Sequence, residues 1–375
     1  MTAPLPSLDR LRVRLLALVV VALTAGLVLA PAQADAQRSD RRLTVMTQNL
    51  YLGASLDAAV AAQTPAEFAA AVHEIYQNVV ATSFRARAPR IAAQIARTRP
   101  DVVGLQEATL WRSGPLELPG TPQTPARAVE YDFLRILQRE LRRRRASYRA
   151  VVVNTNADIE VPSPLSGKDL RLTDRDVILV RNGISRRGIR ISNPRRAHFS
   201  PAAQLRVNTL GGPVEFTRGW ASVDVRVRGR RVRFVNTHLE VQAGAPFQLA
   251  QAQELLAGPA ATRAPVVMVG DFNSNADPRN PDTPTYATLT AAGFRDAWRR
   301  RHPRRAGFTC CQAADLANGR SQLSQRIDLV LTKPALRVVR AELVGESRRD
   351  KTRTRPSLWP SDHAGVVVQL RIGGR

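Results

Sequence analysis

Four consecutive apolar residues, Val266, Val267, Met268 and Val269, run without alternation into Gly270-Asp271-Phe272-Asn273. A strand with no polar face is covered on both sides, which places it inside a layered α/β structure. Gly270 lets the backbone turn, and Asp271 and Asn273 then project from the strand's end. Loops at the ends of buried strands are where rigid elements hold reactive side chains in place. An Asx-rich turn reads the same in isolation. Other strand ends in the chain carry similar polar groups, and that favours a site.

Those strand ends are spread along the whole chain. Arg42–Asn49 reads as a strand closing on Asn49. Val102–Leu105 is a second buried strand, followed by Gln106-Glu107. Val232–Asn236 leads into Thr237-His238-Leu239-Glu240. Arg326–Leu331 is an apolar strand holding a carboxylate, Asp328, and Ser361-Asp362-His363 precedes the last strand, Gly365–Leu370. Helices are expected from Thr64-Pro65 onward, with Phe68, Val72, Ile75 and Val79 on one face, and at Arg85–Thr98 with its arginines outward. Others are expected at Tyr131–Leu141, Phe247–Leu256 and Tyr286–Ala292. Trp111–Pro125 and Asn154–Asp174 read as long loops, the second a binding loop between strands Tyr148–Val153 and Asp176–Arg181. No repeat and no interior boundary interrupts the chain, so one domain, 43–375, is expected after a short linker, 35–42.

The N-terminus has the pattern of an export signal. Arg10, Arg12 and Arg14 precede the apolar run Leu15–Ala30, which is short for a membrane span, and small residues follow at Ala32-Gln33-Ala34. Cleavage after residues 1–34, rather than an uncleaved anchor, gives a secreted protein. The formal net charge of +25 then falls to +23, because three arginines and one aspartate leave. Such a charge suits a polyanionic partner, nucleic acid or an anionic membrane surface. Only Lys168, Lys333 and Lys351 are lysines, and this arginine bias points to GC-rich coding, which does not explain the excess of basic over acidic residues. The two cysteines, Cys310 and Cys311, are adjacent; they are too few for a zinc site and are open to a ring between neighbours or to free thiols.

Collected together, the polar set is Asn49, Glu107, His238, Asp271, Asn273, Asp328, Asp362 and His363. Hard oxygen donors of this kind suit Mg²⁺, with Mn²⁺ or Ca²⁺ as substitutes. Such a cation polarises a phosphoryl oxygen, a carboxylate holds the attacking water, and amides with a protonated histidine bind the developing charge. Asp328, in an apolar strand, needs a partner, and a histidine whose proton it fixes is the natural one.

The segments Asn49-Leu50, Leu105-Gln106-Glu107, Asn236-Thr237-His238-Leu239, Gly270-Asp271-Phe272-Asn273, Arg326-Ile327-Asp328 and Ser361-Asp362-His363 stand in the order seen in the endonuclease/exonuclease/phosphatase superfamily. The chain resembles that superfamily from Leu43 to Leu370. Pancreatic deoxyribonuclease, exonuclease III-like repair enzymes, bacterial sphingomyelinases and inositol-phosphate phosphatases belong to it. The resemblance implies an α/β (α+β) fold, a four-layer αββα sandwich of two packed mixed β-sheets flanked by helices. It implies Glu107 as principal metal ligand with Asn49 beside it, and Asp362 at a metal site or next to one. Asp271 would orient or deprotonate water, Asn273 would contact phosphate, and His363 would hydrogen-bond it while held by Asp328. His238 resembles the second histidine of the deoxyribonuclease and sphingomyelinase branches, and Arg175 with Asp176 matches a substrate-contacting position. Two departures, Leu50-Tyr51 in place of a carboxylate after the first Asn and His238 in place of a Tyr, argue against an abasic-site repair enzyme. The insertion Tyr51–Phe84 has no assigned role.

The expected function is a secreted, Mg²⁺-dependent phosphodiesterase, monomeric, acting on DNA or RNA. A sphingomyelinase or phospholipase C-like enzyme, or an inositol-phosphate phosphatase, is the alternative. A non-catalytic binding protein on the same scaffold is the third reading.

Overall fold

The computed structural model describes residues 41–117, 125–210, 212–334 and 336–373. The expected export signal, 1–34, lies outside them. The compact unit spans Leu43–Ile372. Among the described residues no helix is long and apolar enough to cross a membrane.

In chain order the elements are β1 (Arg42–Asn49), α1 (Asp57–Ala61), α2 (Pro65–Ala81), α3 (Phe84–Thr98), β2 (Val102–Gln106), β3 (Leu110–Pro115), β4 (Ala128–Asp132) and α4 (Phe133–Arg143). The hairpin β5 (Tyr148–Ser163) and β6 (Lys168–Arg181) follows, then β7 (Ile189–His198), β8 (Leu205–Thr209), β9 (Gly212–Phe216), β10 (Gly219–Val227) and β11 (Arg230–His238). The last part holds α5 (Ala245–Ala257), β12 (Val266–Asp271), α6 (Thr285–Ala291), β13 (Arg295–Asp296), α7 (Ala297–Arg301), β14 (Asp328–Lys333), β15 (Arg337–Val344) and β16 (Gly365–Arg371).

Two mixed sheets are built from them. One has the order β15-β16-β1-β2-β6-β3-β4, with β5 paired to β6, and the other runs β13-β14-β12-β11-β10-β7. Strands β8 and β9 form a separate two-stranded sheet. The apolar runs explain the layering. In β12, Val267 and Val269 face the other sheet, in a core shared with Val45 of β1, Val102 of β2 and Phe234 of β11. Val266 and Met268 face the opposite way, onto Leu255 of α5 and Leu289 of α6. Likewise Met46 and Val103 turn outward, onto Phe84 and Ile91 of α3 and Leu137 of α4. Each central strand is therefore buried on both faces, as its lack of alternation requires, and the four-layer sandwich follows.

Three expectations need correction. The segment Asn154–Asp174 is no loop: it is the outer part of the long hairpin β5–β6, with Ile159 opposite Leu172 and Val161 opposite Leu170. Polar Asn154, Asn156 and Asp174 interrupt the alternation there and hide the strands. Part of Trp111–Pro125 is strand β3, paired with both β4 and β6. On α3 one arginine points inward: Arg87 is fully buried.

Candidate active site

The strand pairing gathers the polar residues at one edge of the sandwich. Parallel β1 and β2 end together, Asn49 beside Gln106, so that Glu107 follows immediately. Parallel β11 and β12 end with His238 beside Asp271. Antiparallel β14 starts where β12 stops, setting Asp328 opposite Asp271, and β16 starts just after Asp362-His363. The two sheets are tied beneath this edge: Gln106 Nε2 donates to Asn236 Oδ1 (2.6 Å), and Asn236 Nδ2 donates to the Leu105 carbonyl (3.0 Å). At Gly104 any side chain would run into the Asn236 amide, so glycine permits this close approach of the sheets.

Asn49 links the sheets at the site itself. Its Nδ2 donates to Glu107 Oε1 (3.0 Å) and to Asp271 Oδ2 (3.0 Å). Its amide oxygen accepts the Tyr51 N–H (2.9 Å), so the nitrogen, not the oxygen, faces Glu107. Glu107 Oε2 also accepts the Leu52 N–H (2.6 Å). Burial, followed by the charges of Asp362 and Asp174, pushes the Glu107 carboxyl up to about 7. Asp362 is raised by burial as well, against His363 and Arg87.

His363 is caged by carboxylates. Its Nδ1 lies 2.8 Å from Asp328 Oδ2 and 3.7 Å from Asp271 Oδ2, and its Nε2 lies 3.8 Å from Asp362 Oδ1. Burial disfavours its charge, yet these three carboxylates outweigh burial and hold the ring as an imidazolium. Burial pushes Asp328 up to about 6 against the pull of His363. Burial also opposes the charge of Asp271, but His363, with hydrogen bonds from Asn49 and the Asn273 backbone, holds it below the usual carboxylate range.

His238 is the opposite case. The Arg218 guanidinium, which can only donate, lies 3.0 Å from its Nδ1. Its Nε2 lies 3.7 Å from Asp271 Oδ2 and 3.2 Å from the Asn273 amide nitrogen, which also donates to the Leu239 carbonyl. Burial and the Arg218 charge lower its pKa to about 3, so the ring is neutral.

A cleft of about 570 Å³ opens over these groups and is lined by Glu107, His238, Asp271, Asn273, Asp362 and His363. Asn49 and Asp328 lie behind them, each bonded to a lining residue. Arg175 is not among the lining residues. It donates to the carbonyls of Ala108 and Thr109 and to Asp132 Oδ1 (2.6 Å), which braces the loop after Glu107. Asp176 sits deeper, sharing the Asn156 amide with Asp174.

Four groups escape a sequence reading. Asp174, Arg218 and Glu240 line the cleft. Arg218 stands 3.6 Å from Glu240 and lies in the field of Asp174 and Asp176. Arg87 donates to the carbonyls of Leu50, Tyr51, Thr82 and Pro360, and so staples the loop after Asn49 to the segment before Asp362. Cys310 and Cys311 are joined as a disulfide, and Cys311 reaches the cleft.

The donor chemistry fits a hard divalent cation. Glu107 and Asp362 are two buried carboxylates with raised proton affinity, Glu107 in part through the charge of Asp362, and no described cationic side chain makes an ion pair within 4.0 Å of Glu107. Oxygen donors in that state gain from a Mg²⁺-type ion. Two carboxylate–histidine trios, Asp271/Asp328/His363 and Asp174/Asp176/His238, also have donor atoms within 4.8 Å of one another. In the first, the imidazolium already neutralises the carboxylates; in the second, Arg218 supplies the positive charge.

Comparison with known proteins agrees with this architecture. No protein of curated function matches the chain in sequence. Among solved structures, an endonuclease/exonuclease/phosphatase family protein from Leptotrichia buccalis superposes with a TM-score of 0.52 at 15% identity, covering 88% of this chain and 99% of the other. The mannosyl-6-phosphatase of Bacteroides thetaiotaomicron gives 0.51 at 16% identity, with 88% and 99% covered. A humanized D. rerio TDP2 gives 0.50 at 14%, again with 88% and 99% covered. At these identities the likeness is one of fold. The family model for the endonuclease/exonuclease/phosphatase family matches residues 46–363, from within β1 to the caged histidine, and on that match the chain belongs to this family.

Proposed function

We propose that the protein is an exported hydrolase that cleaves phosphoester bonds with the help of a divalent cation, Mg²⁺ by the hardness of its donors. The observation that carries this reading is the meeting, in one cleft, of a hydrogen-bonded carboxylate, Asp271, a caged imidazolium, His363, and two further buried carboxylates, Glu107 and Asp362, with raised proton affinity. Glu107 and Asp362 would hold the cation, which polarises the phosphoryl group and stabilises the leaving oxygen when bound.

The remaining roles belong to the chain's own side chains. Asp271 Oδ2, fixed by Asn49, accepts a hydrogen bond from the attacking water and takes its proton as the P–O bond forms. So acidic a carboxylate orients water better than it deprotonates it, so proton transfer falls late in the step. His363 donates to a phosphoryl oxygen, and Asp328 keeps it charged and aligned. Neutral His238 and the Asn273 amide face the remaining oxygens from the wall of the cleft. The export signal supports secretion. The net charge supports a nucleic-acid substrate, although among the described lining residues of the cleft Arg218 is the single arginine.

The test is hydrolysis of a chromogenic phosphodiester by the purified mature protein, with Mg²⁺ and after EDTA. Activity lost with EDTA, restored by Mg²⁺, and lowered about 10³-fold in Asp271→Asn or His363→Ala supports the reading. Activity indifferent to all three overturns it.

A further inference from the structure

Beside the catalytic cleft lies a second cavity, an apolar chamber of about 80 Å³. Its walls come from α1, α2 and the two hairpins β5–β6 and β8–β9. Five residues, Leu56, Val60, Ile159, Leu172 and Phe216, line both the chamber and the cleft. Leu172 and Asp174 stand two residues apart on β6 and both line the cleft, so the apolar wall begins about 7 Å from the carboxylate. The insertion between β1 and α3, otherwise without a role, supplies Ala59, Val60, Phe68 and Val72 to this chamber.

The chamber offers nothing to a polar ligand. The Trp111 indole N–H is spent on the Leu52 carbonyl (2.9 Å). Thr209, the single polar residue among those lining it, gives its hydroxyl to the Gly212 carbonyl (2.8 Å). A half-open apolar pocket of this kind gains when hydrocarbon covers its walls. On the scale where 10–15 Å³ holds one water, 80 Å³ takes about six water-sized groups.

We propose that the chamber binds the apolar part of the substrate: the phosphoester carries, next to the scissile phosphate, a hydrocarbon chain or ring of about six carbons. This rests on the phosphoester hydrolase reading above and names its substrate class. A tail of this kind reaches the protein in a lipid or in a soluble amphiphile, with the same chemistry.

The experiment uses 4-nitrophenyl alkyl phosphodiesters from methyl to octyl, with Mg²⁺, alongside phosphatidylcholine vesicles. The expected kcat/KM rises about fourfold per methylene up to about six carbons and then levels. Ala59→Phe, which fills the chamber, removes that rise and leaves the methyl ester within twofold; Val214→Trp, on the facing hairpin, does the same should the first variant not fold. Turnover of vesicles as well as soluble esters assigns the tail to a lipid, and turnover of soluble esters alone to a soluble amphiphile; both support the chamber. Calorimetry of hexyl phosphate against methyl phosphate reads the chamber without turnover. Equal rates across the series with equal binding of the two phosphates overturns the chamber and leaves the hydrolase reading standing. Tighter hexyl phosphate binding with no turnover of any ester keeps the chamber and removes the hydrolase reading.

Discussion

Glu107 occupies a left-handed backbone position, φ 52°, immediately after a buried strand, and Tyr51 and Asn273 around the same cleft share that conformation at φ 59° and 48°. Non-glycine residues adopt it only where the surroundings over-determine it. Here the Asn49 amide and the Leu52 N–H fix the carboxylate. Its pKa, pushed up to about 7 by burial and then by Asp362 and Asp174, sets a pH dependence with a definite sign. The folded-state value lies above the usual carboxyl value of about 4.3. Metal-free protein therefore loses stability as pH rises from about 4.5 to about 7, because ionising Glu107 in the fold is unfavourable. A cation binds the ionised form, so its apparent affinity falls about tenfold for each pH unit below 7 and is flat above. Calorimetric Mg²⁺ titration of metal-stripped protein from pH 5 to 9 measures this. An affinity that is constant between pH 5 and 7, or unchanged in Glu107→Gln, would remove Glu107 from the cation site.

At the scale of elements, helix α3 bears on the site through one side chain. Arg87 has no exposed surface, donates to four carbonyls and lies 5.0–5.8 Å from the rings of Phe84, Tyr51 and Phe133. Burial lowers its pKa only to about 10, so it stays charged at neutral pH. Arg87→Met leaves those carbonyls unpaired and is expected to cost about 3–5 kcal/mol, read from urea unfolding. A loss below 1 kcal/mol would mean that other groups hold the loops. The same helix shows why the sequence is only partly legible. Its periodicity places Ile91 and Ile95 in the core, and an arginine among them reads as exposed because nothing local announces the carbonyls it will meet from Leu50 and Pro360. Asp174, Arg218 and Glu240 are hidden for the same reason: their partners come from other strands. Asn49, Glu107, Asp271 and His363 are readable because each closes or opens an apolar run. The outer part of the hairpin β5–β6 is unreadable because its polar residues, Asn154, Asn156 and Asp174, serve the site's floor rather than the strand's alternation.

For the whole molecule, one exposed group of arginines lies at the end of the sandwich opposite the cleft. The turn before β11 and the segment before β7 touch, Arg228 N donating to the Gly188 carbonyl (2.8 Å), and Arg186, Arg190 and Arg230 are exposed there. Strand β11 runs from that turn to His238, nine residues, so the arginines lie roughly 27 Å from the cleft. The cleft itself is lined by Glu107, Asp174, Glu240, Asp271 and Asp362 against a single arginine. A polyanion held by these arginines would be attracted by the molecule's field without being seated at the carboxylates. DNA binding is expected to weaken steeply between 50 and 200 mM salt, to weaken further in the triple replacement of Arg186, Arg190 and Arg230 by Gln, and to be unchanged in Glu107→Gln. The triple variant should hydrolyse a small phosphodiester at the wild-type rate. Fluorescence anisotropy of a labelled duplex, with the chromogenic assay run in parallel, measures both. Should DNA inhibit the small-ester reaction competitively, with an inhibition constant equal to its dissociation constant, the polyanion and the ester share one seat. The arginines would then steer a nucleic-acid substrate into the cleft.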